Sequence, residues 1–300
     1  MSDTHYVLIT PARNEAAYIE KTLKSVVNQT LLPRRWVVVS DASTDRTDEI
    51  VMDYAARHSF IEFVRVEKDP NRSFASKVFA IRAGERKLTD VSYRFIGNLD
   101  ADVEFDPAYF ETVVARMIEC PRLGLAGGHI YDYLDGQFIP QQIVKNSVAG
   151  AVQLFRRDAY ERIGGYIPLP RGGIDAIAEI MVQMYGWECE TFADLKVNHY
   201  RPMGTALGGL ISARYRDGMQ DYAFGNHPLF EIVKCAARIG VRPIAIGAVM
   251  RMVGYVRAAI HAEPRHVPAD VVAYMRQTQL HRLGLAPKPS IVETHPRESR

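Results

Sequence analysis

The chain has 300 residues, 47% hydrophobic, 10% aromatic and 24% charged, which excludes disordered and fibrous classes and suffices for one large catalytic domain with an appendage. Its 37 basic and 35 acidic side chains leave a formal charge of +2, so nothing global calls for nucleic acid as a partner. Cys120, Cys189 and Cys235 form no paired motif, which argues against a cysteine zinc site or a disulfide framework and fits a reducing cytoplasm.

The first residues lack the basic start, apolar core and small-residue cleavage site of a secretory signal, and the chain enters a strand at once. From residue 5 to about 130, short β-branched runs alternate with helical patterns. HYVLIT, RWVVVSD, IEFVRV, YRFIGNLD and LGLAGGHI read as strands, and residues 15–29, 44–58, 73–87 and 107–119 between them repeat apolar side chains every three or four positions. In the first of these helices the stripe is Ile19, Leu23, Val26 and Val27. The alternation predicts an α/β fold with a mostly parallel central sheet flanked by helices. Ligands of such sheets sit beyond the carboxyl ends of the strands. Three polar clusters fall there: PARNE after the first strand, DASTD after the second and DAD after the fourth.

Further on, residues 152–157 read as a strand, 157–166 as a helix ending at glycines, 172–187 as a helix, and 188–192 and 196–200 as two short strands. The domain expectation is a catalytic domain over 1–204, with a donor half at 1–103 and an acceptor half at 104–204. A helical extension over 205–286 and a frayed tail over 287–300 follow.

The most apolar late window, 243–260, carries Arg251 and Arg257. A charge at mid-bilayer costs about 2.5–3.5 kcal/mol, so no transmembrane span is expected. Basic residues spaced among Phe230, Ile232, Val233, Ile239, Ile244, Met250, Met252 and Tyr255 suit instead an interfacial helix pair on anionic lipid, a peripheral membrane contact through 227–260. The competing expectations are a tail packed on the catalytic domain and a homo-oligomer contact.

Asp100 and Asp102 stand one residue apart at a strand end, so on extended backbone both carboxylates face one point. Paired hard oxygen donors suit Mg²⁺ or Mn²⁺ shared with substrate phosphates. Two other readings stay open on spacing alone. One is a solvated acidic turn before Pro107. The other is a phosphohydrolase of the haloacid dehalogenase type, with Asp100 as nucleophile and Asp102 as acid/base; that family carries the motif on its first strand, and here three strands precede it.

Residues 7–47, VLITPARNEAAYIEKTLKSVVNQTLLPRRWVVVSDASTDRT, resemble the nucleotide-binding opening of family 2 glycosyltransferases with the GT-A fold. Pro11, Ala12, Asn14 and Glu15 match that family's P-A-Y-N-E, then Gln29, Thr30 and Pro33 follow, then Asp41, Ser43, Thr44 and Asp45 match its D-D-G-S-T-D. Arg13 replaces the usual aromatic, and Ser40 and Ala42 replace the first Asp and the Gly. The second half keeps the family's order: a strand, F-R-R, a helix, G-G-Y, an acidic residue opening a helix, then a strand ending in His. The resemblance covers about residues 5–205.

It implies a metal-dependent inverting glycosyltransferase of the bacterial cell-envelope glycan type, using a nucleotide sugar, UDP- ahead of GDP- or dTDP-. The acceptor would be a glycan or a lipid-linked hydroxyl, and the setting the cytoplasm or the cytoplasmic face of the inner membrane. By resemblance, Pro11, Ala12, Arg13, Glu15 and Asp41 line the nucleotide site, and Lys77 or Arg72 offsets the donor phosphates. Asp102 then binds the metal, Asp100 faces the ribose or the metal, and His199 is the third ligand. Asp175 is the general base, with Glu179 one turn along as the reserve. Each has a plainer role to weigh: Ser43, Thr44, Asp45 and Asp175 also suit helix caps. A polyprenyl-phosphate sugar synthase and an inactive nucleotide-sugar-binding protein are the alternatives.

Overall fold

The computed structural model describes residues 4–67, 75–201 and 209–292. Arg72, the 204/205 boundary and the end of the tail lie outside them.

The first half follows the expected alternation. β1 (Tyr6–Ala12), α1 (Ile19–Val27), β2 (Arg35–Asp41), α2 (Thr47–Arg57), β3 (Ile61–Val66), α3 (Ser76–Glu85) and β4 (Phe95–Leu99) follow in order. Strands β3, β2, β1 and β4 lie side by side and parallel. Helices cover both faces of such a sheet, so its inner strands are largely apolar, while the edge strand β3 carries Glu62 and Arg65. In β2, Trp36, Val37, Val38 and Val39 are all fully buried. On α1 the stripe of Ile19, Leu23 and Val26 is fully buried, with Val27 packed at its margin.

The second half departs from a parallel pattern. β5 (Val103–Phe105), α4 (Tyr109–Glu119), β6 (Leu123–Leu134), β7 (Gln137–Pro140), β8 (Val152–Arg156), α5 (Arg157–Ile163), α6 (Ile174–Met184) and β9 (Glu188–His199) complete the sheet. Its order is β3-β2-β1-β4-β8-β6-β9-β5, with β7 on β6. β8 runs antiparallel to β4 and β6, and β5 antiparallel to β9. The two short strands expected at 188–192 and 196–200 are one strand, β9, parallel to β6. The gap between them has a counterpart in the register, which jumps from Gly128↔Phe192 to His129↔Lys196, leaving 193–195 without partners on β6.

The chain divides into two compact units, Met1–Pro168 with Ile174–Pro202, and Leu169–Gly173 with Met203–Arg300. The second unit holds α7 (Leu210–Phe224), α8 (Pro228–Ala237), α9 (Ile246–Ile260) and α10 (Ala269–Arg282). α7 and α9 cross with almost no side chain between them: a Cβ on Gly218 would strike the carbonyl of Arg251, and one on Gly254 the carbonyl of Tyr215. Arg251 is buried and bonds to Asp221 and Glu231, where the sequence suggested an outward charge. Tyr255, expected on an outer face, is buried too, its hydroxyl donating to the carbonyl of Asn226 at 2.8 Å. No described helix is long and apolar enough to cross a membrane.

Candidate active site

The carboxyl ends of β1, β2 and β4 open on one edge of the first unit. There PARNE and DASTD are stitched together. Asn14 accepts from Thr44 N at 2.8 Å, while the backbone N–H groups of Asn14, Glu15 and Ala16 donate to Ser43 Oγ, Thr47 Oγ1 and Asp45 Oδ2 at 3.2, 2.8 and 3.0 Å. Asp45 also accepts from Thr47 N at 3.0 Å, but the N-cap of α2 is Arg46, so Asp45 stands one residue ahead of the cap expected of it. Asn14 and Ala42 sit in left-handed backbone, with φ of 52° and 49°. That conformation is why a glycine suits position 42, and Ala42 is strained there. Arg13 lies 3.5 Å from Asp41, and its buried Nη1 has no hydrogen-bond acceptor.

Below these loops lies an acidic cluster. Asp100, Asp102 and His199 each offer a ligand atom, all within 4.8 Å of one another. Pairing of β5 with β9 makes this meeting: Val103 lies opposite His199, and Tyr200 N donates to Asp102 O at 2.9 Å. Asp100 is fixed from the other side, its N–H donating to Ala151 O at 2.8 Å. Two carboxylate oxygens and an imidazole nitrogen form a donor set that suits Mn²⁺ and, through the carboxylates, Mg²⁺.

His199 is oriented for such a role by Asp132, which the sequence reading missed. His199 Nδ1–H donates to Asp132 Oδ1 at 2.8 Å, and Gln141 Nε2 donates to Asp132 Oδ2 at 2.8 Å. The Nε2 lone pair is thereby left facing Asp102, with Nε2 3.5 Å from Oδ1. Asp132 and His199 are register partners on β6 and β9. The only trace in the sequence is a carboxylate interrupting an apolar, aromatic strand, HIYDYL.

The electrostatics suit a cation. Burial raises the Asp102 carboxyl above its ordinary range and Asp100 adds to this, while His199, Arg201 and Lys77 pull it down. Glu15 is pushed up to about 7 by burial and by Asp102 and Asp100, despite Arg201. Arg201, whose role the sequence did not reveal, grips Glu15 with two hydrogen bonds of 2.8 and 2.7 Å. Their positions are 186 residues apart, so no local pattern signals the pair.

Lys77, in the first turn of α3, reaches Asp100 Oδ1 at 2.5 Å. Burial lowers its ammonium, but Asp100, then Asp175 and Asp102, more than offset this and hold it above the ordinary lysine value. Asp175, in the first turn of α6, packs on bare backbone: a Cβ on Gly150 would lie 2.5 Å from its Oδ2. Both Asp175 and Asp100 act on Tyr166, whose buried hydroxyl is raised first by desolvation and then by these two charges. Lys77, Asp100, Asp102 and Asp175 therefore share one field.

Glu179 does not join them. It is 8% exposed and accepts from Val148 N at 2.7 Å and Ser147 Oγ at 3.2 Å, so its carboxylate anchors the 147–148 loop. A base needs a free lone pair aimed at the reacting hydroxyl, and the reserve role assigned to Glu179 is corrected on that ground. Pro11 and Ala12 end β1 opposite Val39 and Ser40, and Ala12 is buried.

A parallel half whose carboxyl edge carries an acid pair, continued by a mixed half that brings in a histidine, defines the GT-A class of mixed α/β fold. Residues 7–166, more than half of the chain, match the model of glycosyl transferase family 2, and the chain belongs to that family. It is 28% identical over 140 residues to the poly-beta-1,6-N-acetyl-D-glucosamine synthase of Staphylococcus epidermidis, covering 47% of this chain and 29% of that one. It is 26% identical over 175 residues to glycosyltransferase AglE of Haloferax volcanii, covering 53% and 55%. The chain thus spans well under two thirds of these relatives' length. Among solved structures, S. aureus TarS 1–349 in complex with UDP-GlcNAc aligns with a TM-score of 0.59 at 14% identity, over 93% of this chain and 92% of that one. The mannosyltransferase PcManGT from Pyrobaculum calidifontis, in complex with GDP-Man and Mn²⁺, aligns at 0.53 and 19%, over 95% and 76%.

Proposed function

We propose that the protein is an inverting glycosyltransferase that moves a sugar from a nucleotide-diphosphate donor, UDP- first, to a hydroxyl of a cell-surface glycan or lipid-linked acceptor. The observation that carries this reading is the meeting of Asp100, Asp102 and His199 at the carboxyl edge of the parallel strands, with Asp175 in the same field. Its support is the family membership and the donors and Mn²⁺ named with the aligned structures. We place the reaction in the cytoplasm.

Asp100, Asp102 and His199 would hold a divalent ion, Mn²⁺ or Mg²⁺, which supplies Lewis-acid stabilisation of a leaving diphosphate. Lys77 adds a positive charge beside Asp100 and would face the same phosphates. The paired PARNE and DASTD loops form the nucleotide wall, with the Asp41 carboxylate suited to accept a base N–H. Asp175 takes the proton from the acceptor hydroxyl as it attacks and becomes neutral, while Asp100, which stays charged beside Lys77, keeps that ammonium protonated.

The test is a panel of UDP-, GDP- and dTDP-sugars with Mn²⁺ or Mg²⁺, read as thermal stabilisation and nucleotide release. One donor should stabilise the protein, and Asp102→Ala should abolish both readouts. Asp175→Asn should keep donor stabilisation while transfer falls by about 10²-fold or more. If no donor stabilises the protein and Asp102→Ala changes nothing, the reading fails.

A further inference from the structure

Two helices of the second unit, α8 and α9, carry their polarity inverted with respect to water. On α9, Arg251, Gly254, Tyr255 and Ala258 are buried. Ile246, Val249, Val253, Val256 and Ile260 are 44% to 75% exposed. At 3.6 residues per turn these two sets occupy opposite faces of the helix. α8 repeats the arrangement, with Glu231 and Cys235 buried and Leu229, Ile232 and Val233 40% to 55% exposed. Between the helices, Ile239, Val241 and Ile244 are exposed as well.

The ionic groups face inward: Arg251 bonds Asp221 and Glu231, and Lys234 Nζ lies 2.8 Å from Asp221 Oδ1. A helix pair bathed in water places its aliphatic stripe inside and its charges outside. An aliphatic surface of this extent is one that something covers.

Charge selects the occupant. From residue 232 to 262 the sequence has no Asp or Glu, and Arg238, Arg242 and Arg257 are exposed beside the aliphatic stripe. In a symmetric contact between two copies these arginines would meet like charge, so the face is not self-complementary. An anionic surface satisfies them. The 15 residues of α9 span about 22 Å, too short for a hydrocarbon core of about 30 Å, so the helix lies on the surface rather than crossing it.

We propose that the outer face of α8, α9 and their connection lies on an anionic lipid bilayer. Ile232, Val249, Val253, Val256 and Ile260 enter the headgroup boundary, and Arg238, Arg242 and Arg257 meet lipid phosphates. This docking is independent of the transfer chemistry.

The test is flotation of the full chain with vesicles of phosphatidylcholine alone and with one third phosphatidylglycerol. The protein should float with the anionic vesicles only, and less so at high salt. Arg238→Gln with Arg242→Gln should lower the partition coefficient about twenty-five-fold, from roughly fivefold per arginine. Val253→Asp with Ile260→Asp should also release the protein, with its circular dichroism unchanged because both side chains are exposed. Two outcomes overturn the proposal. One is a wild-type chain that stays unbound to anionic vesicles. The other is a dimer in sedimentation velocity that Val253→Asp with Ile260→Asp dissociates, which would make the face a contact between copies.

Discussion

Asp132 stands behind His199 rather than among the clustered ligand atoms, yet its removal should weaken cation binding sharply. Its Oδ1 holds the His199 Nδ1–H at 2.8 Å and its Oδ2 is held by Gln141 at 2.8 Å, so the carboxylate is fixed at both ends. Without it, the His199 ring loses the partner that sets its tautomer and orientation. Losing such an outer partner lowers metal affinity about 10- to 100-fold, or about 1.4–2.7 kcal/mol. His199 is only 5% exposed, so Asp132→Ala also leaves a buried N–H unpaired, at a further cost of about 1–3 kcal/mol in folding stability. Asp132→Asn separates the two effects, since its amide oxygen still accepts from Nδ1–H while the charge is gone. The assay is Mn²⁺ titration by calorimetry, with and without UDP, alongside thermal melts. If Asp132→Ala leaves Mn²⁺ affinity within twofold of wild type while His199→Ala abolishes binding, the orienting argument is refuted. If His199→Ala binds normally, the histidine is not a ligand at all.

Three further outcomes follow from the geometry. Glu15 is raised from 4.5 to about 7, so between those pH values the unfolded chain gives up this proton while the folded chain keeps it. Stability conferred by Glu15 therefore falls as pH rises through that window, by about 3 kcal/mol in all, and relative to Glu15→Gln the wild type should weaken between pH 4.5 and 7.5 in urea unfolding; a constant difference would contradict this. Gly254→Ala would gain about 1 kcal/mol in helix propensity, but its methyl group meets the Tyr215 carbonyl on a backbone that cannot yield. Overpacking should win by about 1–3 kcal/mol and lower the melting temperature of the second unit, and a rise would sink the argument. Glu179→Gln should lower stability by about 1–2 kcal/mol through the weakened anchor on Val148 N while leaving turnover close to wild type; a loss of turnover matching that of Asp175→Asn would restore Glu179 as a base.

The parallel half was legible because β1, β2 and β4 are buried on both faces, and the first crossover helix shows a single apolar stripe of Ile19, Leu23 and Val26. β5 was not, because three residues carry no period, and β7 pairs only at the exposed tip of β6. β9 read as two pieces because residues 193–195 interrupt the alternation where the register on β6 jumps. For the site, Asp100, Asp102 and His199 were reachable from motif order, whereas Asp132 and Arg201 depend on pairings between β6 and β9 and between segments far apart in the chain. In the second unit the basic, apolar composition was visible from the sequence. Which residues faced outward was not: Tyr255 and Arg251 turn inward, and Val249, Val253, Val256 and Ile260 form the outer stripe.

The distance in sequence between Asp102 and His199 also sets an order of events during synthesis. When residues 1–105 have left the ribosome, β4 has β1 on one side and nothing on the other, since β8 begins only at Val152. The acid pair at its end then sits on a bare strand edge, without the imidazole, without Asp132 and without the guanidinium that grips Glu15. Asp132 comes with β6, and the imidazole and the guanidinium arrive together only when β9 slots between β6 and β5. A nascent or truncated chain thus carries the aspartates without the imidazole that the closed sheet brings beside them.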